Sequence, residues 1–308
     1  MNIIKVNGLT KKYGDFIAVN NISFNVKKGD LLGFLGVNGA GKSTTINMLS
    51  TLLEQDSGSA EICGYTLGRD NNAIRRKIGI VYQQNCLDAI LTVGENLMCR
   101  GIIHGADKAS AKKRLAELSE TLNLEDILKK PYRNLSGGQK RRCEIASALM
   151  HTPEILFLDE PTTGLDPATR KDVWQAVENL RANLGMTVFL TTHYMEEAST
   201  ASRIIILDKG NICADGTPFQ LKEKYAYDLV KLYCIESRKK QISDILSKRG
   251  KISESTAYGL KFYIKATTEA IALIYDIREF ISGFEVIQGN MDDVFLNACG
   301  RNLDMGES

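Results

Sequence analysis

The stretch Leu31–Leu53, LLGFLGVNGAGKSTTINMLSTLL, decides the fold. It opens as a short apolar strand over 31–35, turns through Gly36-Val37-Asn38-Gly39-Ala40-Gly41, and enters a helix at Lys42-Ser43-Thr44. This is the pattern Gly-x-x-x-x-Gly-Lys-Ser in the strand–loop–helix setting that gives it chemical meaning. Gly36, Gly39 and Gly41 remove side chains, so that backbone N–H groups can point into the concavity of the loop. Those groups, with the positive end of the following helix, make a site for polyphosphate. Lys42 is placed to set a point charge against the outer phosphates, and Ser43 to set a hydroxyl on Mg²⁺.

Working outward, the chain has 308 residues, enough for one large domain or two ordinary ones, with 44% hydrophobic and 25% charged residues. Its net charge of +2 is too small to imply a nucleic-acid partner, and none is expected to bind directly. Basic clusters at 75–77, 140–142 and 238–240 read as solvated helix faces or strand ends. The 7 cysteines form no C-x-x-C pair, which fits a reducing compartment, and 3 histidines are too few for a histidine-rich metal site. No apolar run approaches the roughly eighteen residues of a membrane span, and no signal-peptide pattern opens the chain. A cytoplasmic protein is expected, one that reaches a membrane through a partner.

Residues 2–30 alternate as β-structure around Gly14-Asp15. Tyr13, just before that turn, is either a platform for a base or a half-buried strand tyrosine. Strands are expected over 58–64 and 77–82, the second ending at Gln83, where ligands bind in α/β sheets. Helices follow over 93–104 and about 109–124, so a helical insertion spans about 92–150. Its last helix is preceded by Leu135-Ser136-Gly137-Gly138-Gln139, with Ser136 as N-cap and a second anion site at the helix start. Two phosphate sites on one chain could face each other only across a dimer. A buried strand over 155–158 closes at Asp159-Glu160-Pro161. Adjacent carboxylates there suit metal binding and general-base chemistry, since strand alternation sends them to opposite faces. Gly164-Leu165-Asp166-Pro167 turns into a helix over 168–184, a strand over 187–191 ends at Thr192-His193, and a hairpin follows over 204–214. From 218 the chain reads strand 228–236, helix 237–249, strands 251–256 and 261–266, helix 268–282 and strand 284–288. The order βαββαβ suggests a small ferredoxin-like domain.

Taken together, the P-loop 36–43, Gln83, LSGGQ 135–139, ILFLDE 155–160, GLDP 164–167 and His193 resemble the nucleotide-binding subunit of an ATP-binding-cassette (ABC) transporter. LSGGQ is the most specific of these, because other P-loop ATPases lack it. TTHYMEEA at 191–198 and MDDVFLNACGRNL at 291–303 resemble the daunorubicin-resistance-type exporter ATPases, whose membrane partners are of the ABC-2 type. The resemblance implies an α/β P-loop NTPase cassette over 1–217, with an N-terminal antiparallel β subdomain and the helical insertion, followed by a small α+β accessory domain over 218–308. It implies ATP and Mg²⁺, and a second ATP-binding subunit, a homodimer being feasible. The implied nucleotide contacts are Tyr13 as adenine stacker, Gly36 through Thr44 (Val37, Asn38, Gly39, Ala40, Gly41, Lys42 and Ser43 between them), Gln83, Leu135 through Gln139, and Asp159. The implied catalytic residues are Glu160 as general base, His193 as γ-phosphate switch, Gln83, Lys42 and Asp166, with Ser43, Gln83 and Asp159 towards the metal. Val37 stands where such loops often carry proline. An importer ATPase with a regulatory C-terminal domain, or a soluble ABC ATPase acting on ribosomes or nucleic acid, are the alternatives.

Overall fold

The computed structural model describes residues 1–300; positions 301–303 of the string at 291–303 lie outside the described residues. The chain divides into two compact units, Met1–Cys213 and a second beginning at Ala214, the division falling before the expected 217/218 boundary.

The first unit holds two sheets. Strands β1 (Asn2–Tyr13) and β2 (Phe16–Lys27) form a long hairpin, with Tyr13 opposite Phe16 at its turn. After β3 (Leu31–Leu35) and α1 (Lys42–Leu49), β4 (Ser57–Ile62) and β5 (Tyr65–Thr66) complete an antiparallel sheet in the order β2-β1-β4-β5. A short helix α2 (Asn71–Lys77) leads into β6 (Ile78–Val81). The segment 71–77 carries no breaker before the strand, which is why the sequence alone runs β6 back to Lys77 and shows neither α2 nor β5.

Helices α3 (Val93–Ile103), α4 (Lys108–Leu122) and α5 (Gly137–Leu149) form the insertion. Each start is fixed by a side chain: Thr92 and Ser136 through capping boxes with Glu95 and Gln139, and Asp107 by accepting from Ala109 and Ser110 N–H. The chain returns through β7 (Ile155–Asp159), α6 (Pro167–Leu184), β8 (Thr187–Thr192), α7 (Met195–Ala198), β9 (Arg203–Asp208) and β10 (Asn211–Gly216). The second sheet has the order β10-β9-β3-β8-β7-β6, and β3 runs parallel to β8 and β9, as β7 does to β6 and β8. Every residue of β3, β7 and β8 is buried, as expected of parallel strands covered on both faces. Phe24 of the antiparallel sheet joins Phe34 and Phe189 of the parallel one, with ring centroids 5.1–6.1 Å apart, so one core anchors both sheets. The carboxyl ends of β3, β6, β7 and β8 therefore open on one side, where α/β sheets bind ligands.

The second unit contains α8 (Pro218–Tyr225), β11 (Asp228–Tyr233), α9 (Glu236–Lys248), β12 (Ser253–Thr256), β13 (Gly259–Ile264), α10 (Thr267–Ile277), β14 (Gly283–Ile287) and α11 (Met291–Ala298). The sheet order β12-β13-β11-β14, with antiparallel neighbours, is the ferredoxin-like arrangement. Val230, Leu232, Phe262 and Ile264 pack beneath Ile242, Leu246, Leu273 and Ile277 of the two helices. The strands expected over 251–256, 261–266 and 284–288 shift by one or two residues at their ends, and two helix boundaries move for identifiable reasons. Glu236 opens α9 instead of ending β11, because a carboxylate is favoured in a first helical turn. Helix α10 stops at Ile277 instead of 282, and Phe280 and Ile281 turn back against the core.

Candidate functional site

The loop between β3 and α1 is shaped by contacts as much as by glycine freedom. Gly41 has φ +106°, and a Cβ on it would lie 2.5 Å from the Ala18 carbonyl oxygen. Gly39 has φ +82° with open space around it, facing the cleft. Ala40 is buried and Val37 packs against the core, so neither offers a side-chain ligand. Asn38, Ser43 and Thr44 line the cleft.

Lys42 is 5% exposed. Its Nζ donates to the carbonyl oxygens of Gly36 at 2.7 Å and Val37 at 3.2 Å, and lies 3.3 Å from Glu160 Oε1. Such burial of charge is tolerable because each group has a partner. Glu160 follows β7 with φ +46°, outside the strand conformation, so its carboxylate does not simply alternate with that of Asp159. Its Oε2 accepts from Thr163 Oγ1 at 3.2 Å and lies 3.2 Å from His193 Nδ1, out of line for a hydrogen bond. Asp159 Oδ1 accepts from Ser43 Oγ at 3.2 Å and from Thr191 Oγ1 at 2.6 Å. Lys42 and Ser43 thus meet one carboxylate each across the cleft.

Tyr13 and Phe16 stand 51% and 61% exposed at the rim. From them a cleft of about 550 Å³ runs past the P-loop to Gln83, Glu160 and His193. One chain brings together Tyr13, the loop, Gln83, Glu160 and His193. Leu135, Ser136, Gly137, Gly138 and Gln139 do not line that cleft. Ser136 and Gln139 cap α5, and the two glycines pack against the start of α6 and the loop before it: a Cβ on Gly137 would lie 3.0 Å from Leu165 Cδ2, and one on Gly138 2.3 Å from Thr169 Cγ2. Asp166 is also outside the cleft. It caps α6 by accepting from Ala168 and Thr169 N–H at 3.1 Å, and hydrogen bonds from Thr169 hold its carboxyl below the usual range.

Sequence reasoning missed several residues. Phe16 pairs with Tyr13 at the rim; Thr163 and Thr191 hold the two carboxylates. Glu197, buried, accepts from Thr192 Oγ1 at 2.6 Å and from Thr162 Oγ1, tying the segment after Glu160 to the strand end before His193. The basic cluster 140–142 is not wholly a solvated face: Arg141 is 5% exposed. The spacing 138, 141, 145, 148 puts Arg141 among buried residues, but α5 also buries every residue from 143 to 149, so spacing alone does not separate Arg141 from Arg142.

A family profile described as ABC transporter matches residues 19–163. The chain is 36% identical to the linearmycin resistance ATP-binding protein LnrL of Bacillus subtilis, covering 98% of this chain and 99% of that protein. It is 36% identical to the daunorubicin/doxorubicin resistance ATP-binding protein DrrA of Streptomyces peucetius (98% and 93% covered). It is 35% identical to the Nod factor export ATP-binding protein I of Ralstonia nicotianae (98% and 95%). A dimeric post-hydrolysis structure of the ATP-binding cassette MJ0796 bound to ADP and Pi superposes with a TM-score of 0.63 at 31% identity, covering 70% of this chain and 98% of that one. A P-loop that carries its lysine against a buried glutamate, a fold shared with solved cassettes and similarity along nearly the whole chain agree: the chain belongs to the ATP-binding subunits of ABC transporters, and it is an ATPase.

Proposed function

We propose that this subunit powers export through a separate ABC-2-type membrane partner, with Glu160 as general base. The placement of the Glu160 carboxylate between Lys42 and His193, at the inner end of the cleft, carries the catalytic part. Similarity to two resistance proteins and an export protein over nearly their full length supports the exporter reading over an importer or ribosomal role.

Tyr13 and Phe16 receive the base, and the loop amides and Lys42 receive the phosphates. Glu160 takes a proton from the water that attacks the γ-phosphorus, and Lys42 stabilises the charge gathering on the transferred phosphoryl group. His193 stands beside that position. The Ser43 hydroxyl and Asp159 carboxylate, 3.2 Å apart, are the hard oxygen donors that Mg²⁺ accepts with phosphate and water, and Gln83 can add its amide oxygen. Bound there, Mg²⁺ would neutralise charge on the phosphate oxygens.

Because Ser136–Gly138 lie outside the cleft, they are free to close on the nucleotide of a second subunit, head to tail. Nucleotide bridging the interface then favours the closed dimer by mass action. A groove of about 320 Å³ between the core and the insertion, lined by Leu52, Tyr82, Ile103 and His104, is the docking place proposed for the membrane partner. Leu52 and Ile103 are 57% and 75% exposed. Among the described residues no helix is long and apolar enough to cross a membrane. The unit from Ala214 is proposed as an accessory domain that supports packing and dimerisation. The test is Glu160→Gln: turnover falls by about 10²–10⁴ and an ATP-bound dimer accumulates on size exclusion. Wild-type turnover in that variant would rule out Glu160 as the base.

A further inference from the structure

The Gln83 segment is gripped at both ends by one turn of α5. Residues 82–87 leave β6 without regular structure. At the near end, Arg141 Nη1 donates to the Tyr82 carbonyl oxygen at 2.5 Å. At the far end, Glu144 Oε1 accepts from Cys86 N–H at 2.8 Å and Leu87 N–H at 3.2 Å, and is itself braced by the Tyr132 hydroxyl at 2.8 Å. The same guanidinium reaches across to the other half of the site. Its Nη2 donates to the Glu160 carbonyl oxygen at 3.0 Å and approaches that of Asp159 at 3.5 Å, while Nε donates to that of Pro161. Arg141 and Glu144 are 5% and 6% exposed, so neither grip competes with bulk water.

Five rigid donors in one plane suit this task, because a guanidinium can hold several carbonyl oxygens in fixed relation where an ammonium cannot. Residues 141 and 144 lie on the same helix face, one turn apart. A shift of α5 therefore moves the Gln83 segment and the Glu160 backbone together.

We infer that Arg141 and Glu144 are positioning residues for hydrolysis, a clamp that holds the Gln83 segment in register with the backbone of Glu160. This rests on the catalytic reading of Gln83 and Glu160 proposed above. Arg141 and Glu144 do not line the nucleotide cleft, so their loss separates turnover from binding.

The test uses the purified full chain. TNP-ATP titration reports binding, steady-state phosphate release reports kcat and KM, and hydrogen exchange resolved by fragment reports the amides of 82–87. In Arg141→Met, kcat falls about 10²-fold, the usual cost of misplacing catalytic groups by an ångström, while TNP-ATP affinity stays within about threefold. Arg141→Lys keeps the charge but not the fork and recovers only part of kcat. Glu144→Leu speeds exchange of the 82–87 amides, and Glu144→Gln, which keeps an acceptor oxygen, speeds it less. If Arg141→Met does not fold, the Arg141→Lys split and the Glu144 pair carry the decision. A wild-type kcat in Arg141→Lys, affinity and kcat falling in parallel, or unchanged exchange in Glu144→Leu overturns the clamp. Glu160→Gln is measured alongside: an inactive Glu160→Gln with an active Arg141→Met removes the clamp alone. A Glu160→Gln with wild-type turnover removes the catalytic reading, and the exchange data then decide whether the segment is clamped.

Discussion

Gly138→Ala separates two explanations of the second glycine in LSGGQ. If the glycine serves only to keep helix-start amides open, an alanine methyl group changes little in stability. The structure gives a different reason. A Cβ on Gly138 would sit 2.3 Å from Thr169 Cγ2, closer than real Cβ atoms come, while Thr169 Cβ and Oγ1 lie at ordinary distances of 3.6 and 3.8 Å. Thr169 is in the first turn of α6, with both its N–H and its hydroxyl bonded to Asp166, so swinging the methyl group away breaks the hydroxyl bond. Overpacking of this kind costs about 1–3 kcal/mol. Alanine returns up to about 1 kcal/mol through helix propensity. The net loss is about 1–2 kcal/mol at the middle of these ranges, and at most about 3, which lowers Tm by a few degrees at about 2–4 °C per kcal/mol. Thr169→Ser removes the offending methyl and keeps the hydroxyl. Urea unfolding of both single variants and the double variant is the assay. The double variant should regain wild-type stability or exceed it, a coupling of about 1 kcal/mol or more. Additive effects, or no loss in Gly138→Ala, would refute the packing argument.

Three further outcomes follow from other contacts. Tyr13→Ala should weaken TNP-ATP binding by about 1–3 kcal/mol, the worth of one base–aromatic stack, and Tyr13→Phe should not; equal affinities would remove Tyr13 from the adenine site. Glu197→Leu leaves the buried hydroxyls of Thr162 and Thr192 without their acceptor, at about 1–3 kcal/mol each, so its urea midpoint should fall well below that of Glu197→Gln. Burial pushes the His151 imidazole down to about 4, and its Nε2 lies 2.9 Å from the Ile78 carbonyl oxygen. As the folded value lies below the ordinary 6.5, the unfolded chain takes the proton first, and stability present above pH 6.5 is lost as pH falls towards 4. Discounted for partial exposure, the loss is about 1–2 kcal/mol, seen as a falling urea midpoint that His151→Gln should flatten.

How much of the fold was legible depends on how local its cause is. The alternation of β1 and β2, the apolar run 155–158 of β7, and Ser136 as an N-cap are each determined within a few residues, and the chain adopts them. The order βαββαβ of the second unit was readable for the same reason. The spatial order β12-β13-β11-β14 was not, because strand pairing is settled by which faces meet over long separations. Helix α10 shows the limit within one element. Its apolar spacing continues to 282, but Phe280 and Ile281 gain more by folding back onto the core than by extending the helix.

The site divides along the same line. Residues that would touch nucleotide sit in short motifs, because a phosphate cradle must be built by one turn of backbone. Residues that hold those motifs in relation draw on distant partners: Arg141 on carbonyl oxygens near 82 and 160, Glu144 on amides at 86 and 87, Glu197 on hydroxyls at 162 and 192. Nothing local distinguishes Arg141 from Lys140 or Arg142 beside it. What distinguishes it is the tertiary packing of α5, which takes Arg141 into the interior with Gly138, Ile145 and Ala148 and leaves Arg142 half-buried. A guanidinium there must find acceptors, and strand-end carbonyl oxygens next to the reacting groups are the acceptors within reach. In this chain the positioning contact is thus marked by the burial of a charge, which tertiary packing decides and helical spacing alone does not.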